Sequence, residues 1–109
     1  MAKVFTFKNL SNGQLATTLA NIYLVATATA SIIKTVSIVN TNTTTETVNL
    51  YILKSAGTAR RIIPKDIMLD ADFLLETDGT YTLGAGDSVQ GNTTTASKVD
   101  YTISGTEET

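Results

Sequence analysis

The chain has 109 residues and a mass of 11.6 kDa, the size of one ordinary domain. Its 8 basic and 10 acidic residues give a net charge of −2, which argues against nucleic acid or an anionic membrane as a partner. Cysteine and histidine are absent, so disulfides, thiolate chemistry, the usual zinc sites and imidazole-dependent mechanisms are excluded. Composition therefore favours a structural or binding role, and we expect no enzyme activity and no cofactor.

The longest uncharged run, from Asn9 to Ile33, does not have the composition of a membrane span. It contains Asn12, Gln14 and Asn21, whose amide side chains would lose their hydration in hydrocarbon. The first residues also lack the apolar region of a secretory signal. We expect a soluble protein with no membrane partner.

Apolar residues recur with a period of two along most of the chain, which predicts β-strands. In chain order the predicted strands are Val4–Lys8, Ile22–Val25, Ser31–Asn40, Thr47–Lys54, Arg60–Ile63, Ile67–Leu69, Phe73–Leu75, Tyr81–Leu83, Ser88–Gln90 and Val99–Ile103. Only Leu15–Ala20 could form a helical turn. Turn signals fall at roughly every eight to twelve residues, the spacing of an all-β sandwich. The expected fold is a single antiparallel β-sandwich of about eight short strands, either jelly-roll-like or immunoglobulin-like.

Two of these strands flank a polar segment. Ser31–Asn40 and Thr47–Lys54 are rich in β-branched residues, and Thr41–Glu46 between them is polar and prone to turns. This arrangement predicts a β-hairpin.

Residues 1–109 are expected to form one domain, with two distinctive ends. Residues 1–10 carry Phe5 and Phe7 in an apolar, strand-prone segment that precedes the amide-rich Asn9–Gln14. This segment is predicted to be either an interface arm or an edge strand of the chain's own sandwich. Residues 106–109 have the composition of a frayed acidic tail.

Arg60 and Arg61 form the one pair of adjacent basic residues. Two guanidinium groups can clamp a phosphate or a carboxylate. Adjacent residues of a regular strand point to opposite faces, however, so the two cannot serve one pocket. An interfacial salt bridge or a solvated strand edge is the preferred interpretation, which leaves both as candidate interface residues.

The segment Gly84-Ala85-Gly86-Asp87 has the glycine spacing of a phosphate-binding loop. Such a loop needs a helix N-terminus after it, whereas a β-type segment follows here. We therefore predict a turn in which Gly84 and Gly86 adopt positive φ and Asp87 caps the turn.

Five acidic residues lie close together in the sequence and could gather around Ca²⁺. They are Asp66, Asp70, Asp72, Glu76 and Asp78. The apolar segment after Asp72 breaks the EF-hand pattern, so solvated loop carboxylates are preferred and no metal is expected.

The chain resembles small β-sandwich proteins encoded by tailed bacteriophages. The resemblance is carried by Ala20–Val25 leading into Ile32–Thr41, by Arg60–Leu69, by Leu83–Gly91 and by Val99–Gly105. It implies a virion structural protein without catalysis, with the major capsid protein or other virion proteins as partners. It further implies a head decoration (cement) protein, assembled in the host bacterial cytoplasm and forming a homotrimer or higher homo-oligomer. A tail, collar or baseplate component is the alternative position.

A carbohydrate-binding module is a further alternative, since small sandwiches commonly serve this purpose. Sugar recognition stacks rings on exposed aromatic side chains. The chain has no tryptophan and only 4 tyrosines and 3 phenylalanines, so such platforms are scarce.

Overall fold

The computed structural model describes residues 4–109, and in this range every regular element is a β-strand. The strands are β1 (Phe5–Gln14), β2 (Ala20–Leu24), β3 (Ala30–Asn40), β4 (Glu46–Leu53), β5 (Arg60–Arg61), β6 (Ile67–Leu69), β7 (Leu74–Thr77), β8 (Tyr81–Leu83), β9 (Ser88–Thr93) and β10 (Val99–Glu108). All their pairings are antiparallel, as predicted. Leu15–Ala20, the one segment that could have formed a helical turn, does not form one, and Leu15 is buried in the core.

The strands form two sheets that make a β-sandwich. Sheet A has the order β1-β10-β3, with β7 and β8 end to end along the far edge of β3. Sheet B has the order β2-β9-β4, with β5 and β6 end to end along the far edge of β4. Each of these two outer pairs is one interrupted strand, because both members pair with the same neighbour. The ten segments therefore occupy eight strand positions.

The pairing pattern distinguishes between the two expected topologies. Counted over eight positions, the first strand pairs with the eighth, the second with the seventh, the third with the sixth and the fourth with the fifth. This is a long hairpin folded over on itself and rolled into two sheets, which is the jelly roll. It is not the immunoglobulin arrangement.

The core lies between the sheets and follows the alternation of the strands. The fully buried aliphatic residues are Leu15, Ile33, Val36, Ile38, Val48, Leu50, Leu83, Val89, Val99, Ile103 and Val25, with Ile22, Tyr23, Ile63 and Leu69 slightly more exposed. They form one cluster. The Tyr23 and Ser31 hydroxyls hydrogen-bond inside it and link the two sheets. These two buried hydroxyl groups therefore satisfy each other within the core.

The predicted hairpin between Ser31–Asn40 and Thr47–Lys54 is wrong. These segments correspond to β3 and β4, which lie in different sheets and do not pair. The connection crosses from one sheet to the other, and Asn40 holds it: its Nδ2 donates to the carbonyls of Thr44 and Leu69, both at 2.9 Å. The alternation of apolar residues identifies a strand but does not specify its neighbour. A polar connection of this length is therefore compatible with a hairpin and with a crossing between the two sheets.

Glu46 is the second anchor of the same crossing and is almost fully buried. Its carboxylate accepts hydrogen bonds from Asn42 Nδ2 (3.0 Å), Thr93 Oγ1 (3.1 Å) and the Thr95 N–H (2.7 Å). Burial acts to raise the pKa of Glu46, but these donors stabilise the charged form and the net effect lowers the pKa. The buried carboxylate therefore joins the β3–β4 connection to the end of β9 and the loop after it.

Both ends of the chain differ from expectation. The first strand continues through Asn9–Gln14 with a bulge at Leu10, whereas the predicted strand ended at Lys8. The tail predicted to fray is the end of β10: Thr106–Glu108 pairs with both β1 and β3, and Thr109 pairs with Val4. A polar sequence is ordered here because a strand lies on each side of it. Residues 1–3 of the predicted arm lie outside the described residues.

Candidate interaction surface

The four candidate interface residues lie in two different sheets. Phe5 and Phe7 belong to β1, at one edge of sheet A, whereas Arg60 and Arg61 form β5, at an edge of sheet B. The fold therefore does not bring the two pairs into one site.

Phe5 and Phe7 lie on the outer face of sheet A. Phe7 is opposite Thr106 on β10, and Thr106 is opposite Ile32 on β3. Residues opposite one another on neighbouring strands share a face, and the residues flanking Ile32 point into the core. Phe7 therefore points outward, and 85% of it is exposed; Phe5, two residues earlier on the same face, is 60% exposed.

Phe5 lines a cavity of about 100 Å³ on the same sheet. Its lining residues are Phe5, Ala30, Ser31, Ile32, Thr82, Thr106 and Glu108. We call the outer-face residues Phe5, Phe7, Ala30, Ile32 and Thr106 the edge patch. Exposed apolar patches with adjacent concave surface are typical of binding sites in proteins.

Arg61 is engaged within its own sheet. Its guanidinium lies over the Tyr51 ring, 4.7 Å from the centroid, and its NH1 donates to Asn49 Oδ1 at 2.6 Å. Asn49 in turn donates from Nδ2 to Asp66 Oδ1 at 2.9 Å. Arg60, the next residue along β5, points to the opposite face. The two guanidinium groups therefore do not converge on one anion, as the alternation predicted.

Three of the five acidic residues considered for calcium accept hydrogen bonds from different parts of the fold. Asp66 accepts from Asn49 on β4, Asp70 accepts from Thr45 Oγ1, and Glu76 accepts from Ser37 Oγ on β3. Among residues 4–109 no group of three or more His, Cys, Asp or Glu is close enough to hold a metal ion. Within the same range there is no helix with the length and hydropathy needed to cross a membrane.

The glycine-rich segment forms a capped turn, as predicted, with one difference. Asp87 accepts the Gly84 N–H at 2.9 Å and the Ser55 N–H at 2.9 Å, and Lys54 Nζ lies 3.0 Å from its Oδ2. The Gly84 N–H and Lys54 lower the pKa of Asp87 despite its burial. Gly86 has a φ of +85°, but Gly84 is not in the positive-φ region. The Gly84 N–H and the Lys54 ammonium group, which a bound phosphate would need, instead contact Asp87 and join the β8–β9 turn to the residues after β4.

Other exposed apolar side chains were not singled out from the sequence. Leu24, Met68, Phe73 and Leu74 are each more than half exposed. The alternation of the sequence could have predicted that Met68 is exposed, because Ile67 and Leu69 on either side of it face inward. These residues are distributed over β2, β6 and the start of β7, so they do not form one surface.

Fold and surface together define an antiparallel jelly-roll β-sandwich with an apolar edge patch. No protein-family model matches the chain, and no curated protein matches it. Its structure is similar to a chain in the structure of infectious bursal disease virus, Gx strain, with a TM-score of 0.52 and 12% identity over 99% of this chain and 33% of that one. It is also similar to a chain in the crystal structure of the infectious bursal disease virus VP2 subviral particle, with a TM-score of 0.44 and 12% identity over 97% of this chain and 32% of that one.

This chain spans about a third of the length of these viral chains. At 12% identity, the similarity to the Gx strain chain shows a common fold and nothing more specific.

Proposed function

We propose that the protein is a non-catalytic structural component of a virion, in which the edge patch attaches it to neighbouring proteins. Jelly rolls occur in viral capsid domains, and the structural neighbours come from virus structures. The sequence resemblance to proteins of tailed bacteriophages supports a phage head decoration protein on the major capsid protein. A tail, collar or baseplate position is the alternative within the same class.

The observation that carries the proposal is the exposure of Phe5 and Phe7 beside the cavity. Two aromatic rings held on a sheet face, instead of in the core, serve attachment better than folding. Individual contacts of this size are weak, but a shell presents many copies, and multivalency converts weak contacts into stable association. The buried carboxylates, in contrast, are occupied in joining loops.

The proposal is tested by locating the chain in purified particles. We expect mass spectrometry to find it at a fixed copy number and electron microscopy to place the sandwich on the head surface. If the chain is found on the tail, the proposed position on the head would be wrong, but the role as a structural component of the virion would stand. Its absence from particles would overturn the proposal.

A matched pair of variants tests the surface. Phe7→Ser should lower particle occupancy at least tenfold, whereas Met68→Ser, which removes another strongly exposed apolar side chain, from sheet B, should have little effect. Equal occupancy for both variants would show that attachment does not use the edge patch.

A carbohydrate-binding module is the second candidate, because jelly rolls also form lectin domains. Gln90, Tyr51 and Arg61 stand in one row across sheet B and present amide, phenol and guanidinium groups. Arg61 covers the Tyr51 ring, however, and leaves less of it for stacking on a sugar. A glycan array in which binding is lost on Tyr51→Ala would favour this candidate.

A further inference from the structure

The sandwich has four sheet edges, and three of them are short or interrupted. β2 has five residues, the edge formed by β5 and β6 is broken around Pro64, and the edge formed by β7 and β8 is broken at Asp78-Gly79. β1 has ten residues, no proline and a single charged residue, Lys8. Natural edge strands are usually protected by shortness, proline, charge or β-bulges. The part of β1 before its bulge at Leu10 carries only Lys8 as protection and is the least protected edge of this fold.

The backbone of the first half of β1 offers hydrogen-bonding groups away from β10. Val4 and Thr109 exchange two backbone hydrogen bonds, of 3.1 and 3.0 Å. Hydrogen-bonded pairs alternate along an antiparallel ladder, so Thr6 and Lys8 direct their N–H and C=O groups to β10. Phe5 and Phe7 therefore direct theirs outward, and no strand among residues 4–109 lies on that side.

The second half of β1 is less available. After the bulge at Leu10, Ser11 Oγ donates to the Ile22 carbonyl of β2 at 2.6 Å. This contact closes the sandwich at that point. The segment open to another strand is therefore Phe5–Asn9, and it carries the phenylalanines of the edge patch.

This segment is complementary to itself in one antiparallel register. With a two-fold axis at Phe7, Phe7 faces Phe7 of a second chain and Phe5 faces Asn9, so the outward-directed backbone groups pair with one another. Lys8 then faces Thr6 instead of a second Lys8, so no like charges are opposed. The two Phe7 rings meet on the outer face of the joined sheets, a favourable cross-strand aromatic pair.

We propose that β1 pairs antiparallel with β1 of a second copy of this chain about a two-fold axis at Phe7, which joins the two A sheets into one continuous sheet. The inference rests on and deepens the proposed function, since it names the first partner of the edge patch. An interface with a two-fold axis uses the same edge of both chains and gives a closed dimer, in contrast to the trimer implied by the family resemblance.

The contact is small. Phe5 and Phe7 expose roughly 300 Å² of apolar surface per chain, given about 200 Å² for a whole phenylalanine. Even with the added backbone surface, the contact is at or below the roughly 1,200 Å² of stable interfaces. The dimer should therefore form at micromolar to millimolar concentration and be reinforced when many copies are held together.

Hydrogen exchange of the unmodified protein tests the proposal. Between about 10 μM and 1 mM, the Phe5 and Phe7 amide protons should become at least tenfold more protected, in step with a rise in sedimentation mass to a dimer. The Thr6 and Lys8 amides should be protected at both concentrations, because they bond to β10. Unchanged exchange at Phe5 and Phe7 over this range, or a trimer without a dimer, would overturn the proposal.

A cysteine cross-link tests the register, and the chain has no cysteine of its own. Phe7→Cys should oxidise to a disulfide dimer, because a hydrogen-bonded pair holds its Cα atoms about 5.5 Å apart, within disulfide range. Asn12→Cys, on the same strand, should not, because its symmetry mate would lie about 30 Å away. Equal cross-linking of both variants would overturn the register.

Charge provides a third measurement. Phe7→Asp opposes two carboxylates at the axis and should raise the dimer dissociation constant at least tenfold, whereas Thr102→Asp, within β10, should not change it. A dimer that disappears in Phe7→Asp but never occurs in particles would leave this inference standing and defeat the proposed function. If the chain is found in particles but the Phe5 and Phe7 amides show no protection in solution and Phe7→Cys does not cross-link, the proposed function would stand and this inference would be overturned.

Discussion

At the scale of single residues, two backbone positions show how much depends on local geometry. A Cβ added to Gly105 would lie 2.0 Å from the Ile32 carbonyl oxygen, so β10 and β3 approach too closely for any side chain there. Ala28, in the loop between β2 and β3, has a φ of +61°, which costs a residue with a Cβ free energy that glycine avoids. Gly86 was anticipated from its turn context, whereas Gly105 was not, because the atom that excludes a side chain belongs to a distant strand.

Gly105→Ala should lower the free energy of unfolding by about 2–3 kcal/mol or more, because the clash is with backbone and cannot be relieved by a side-chain movement. Denaturant titration measures this effect. Ser104→Ala, the neighbouring substitution, should change stability by less than about 0.5 kcal/mol. Similar losses for both variants would contradict the steric explanation.

Ala28→Gly should instead stabilise the protein by about 0.5–1 kcal/mol, since relief of the left-handed conformation exceeds the added entropy of the unfolded chain. Ala26→Gly in the same loop is the control: it brings the entropy cost without the relief and should destabilise. Thermal unfolding of both variants would show shifts of opposite sign if the explanation is correct.

At the scale of elements, the strands were predictable, but their partners and their ends were not. β3 and β4 follow the alternation of their apolar residues, yet they belong to opposite sheets because Asn40 and Glu46 hold a crossing between them. The end of β10 is polar and acidic, and it is a strand only because β1 and β3 lie on either side of it.

Deletion of residues 106–109 tests the role of this polar end. It removes the backbone hydrogen bonds of Thr109 with Val4 and of the pairs next to it, and should lower the free energy of unfolding by about 2–4 kcal/mol. Glu107→Gln keeps the backbone and removes only an exposed 3.4 Å ion pair with Lys8, so it should cost less than about 1 kcal/mol. An unchanged stability on deletion would support the frayed tail expected from the sequence.

At the scale of the whole molecule, the two buried carboxylates connect loops at different places. Asp87 joins the β8–β9 turn to the residues after β4, and Glu46 joins the β3–β4 crossing to the loop after β9. Their pKa values are both lowered by hydrogen bonds to the charged form. Each carboxylate is therefore a structural link whose strength depends on its ionisation.

The sign of the pH dependence follows. A carboxyl group with a lowered pKa in the folded state stabilises fully above its unfolded value, 3.8 for Asp87 and 4.5 for Glu46, and loses this effect as pH falls through the folded value. The free energy of unfolding should be constant from about pH 7 to 5 and fall steeply below about pH 4.

Two substitutions separate this effect from general acid denaturation. Asp87→Asn should be less stable at pH 7 and show a shallower loss in acid. Lys54→Met removes the cation beside Asp87 and brings the folded pKa of Asp87 closer to its unfolded value, so this variant should also be less stable at pH 7 and lose less stability in acid. Chemical denaturation between pH 2.5 and 7 measures both, and parallel curves for wild type and variants would exclude Asp87 as a cause of the acid loss.

The sequence by itself determined the all-β class, the position of most strands, the inward and outward faces, and the separation of Arg60 from Arg61. These properties depend on alternation, which is local to each strand. Only the tertiary structure decided the jelly-roll order, the crossing after Asn40, the ordered end of β10 and the open edge at Phe5 and Phe7. Those depend on contacts between residues far apart in the chain, and a period of two is the same whichever strand lies alongside.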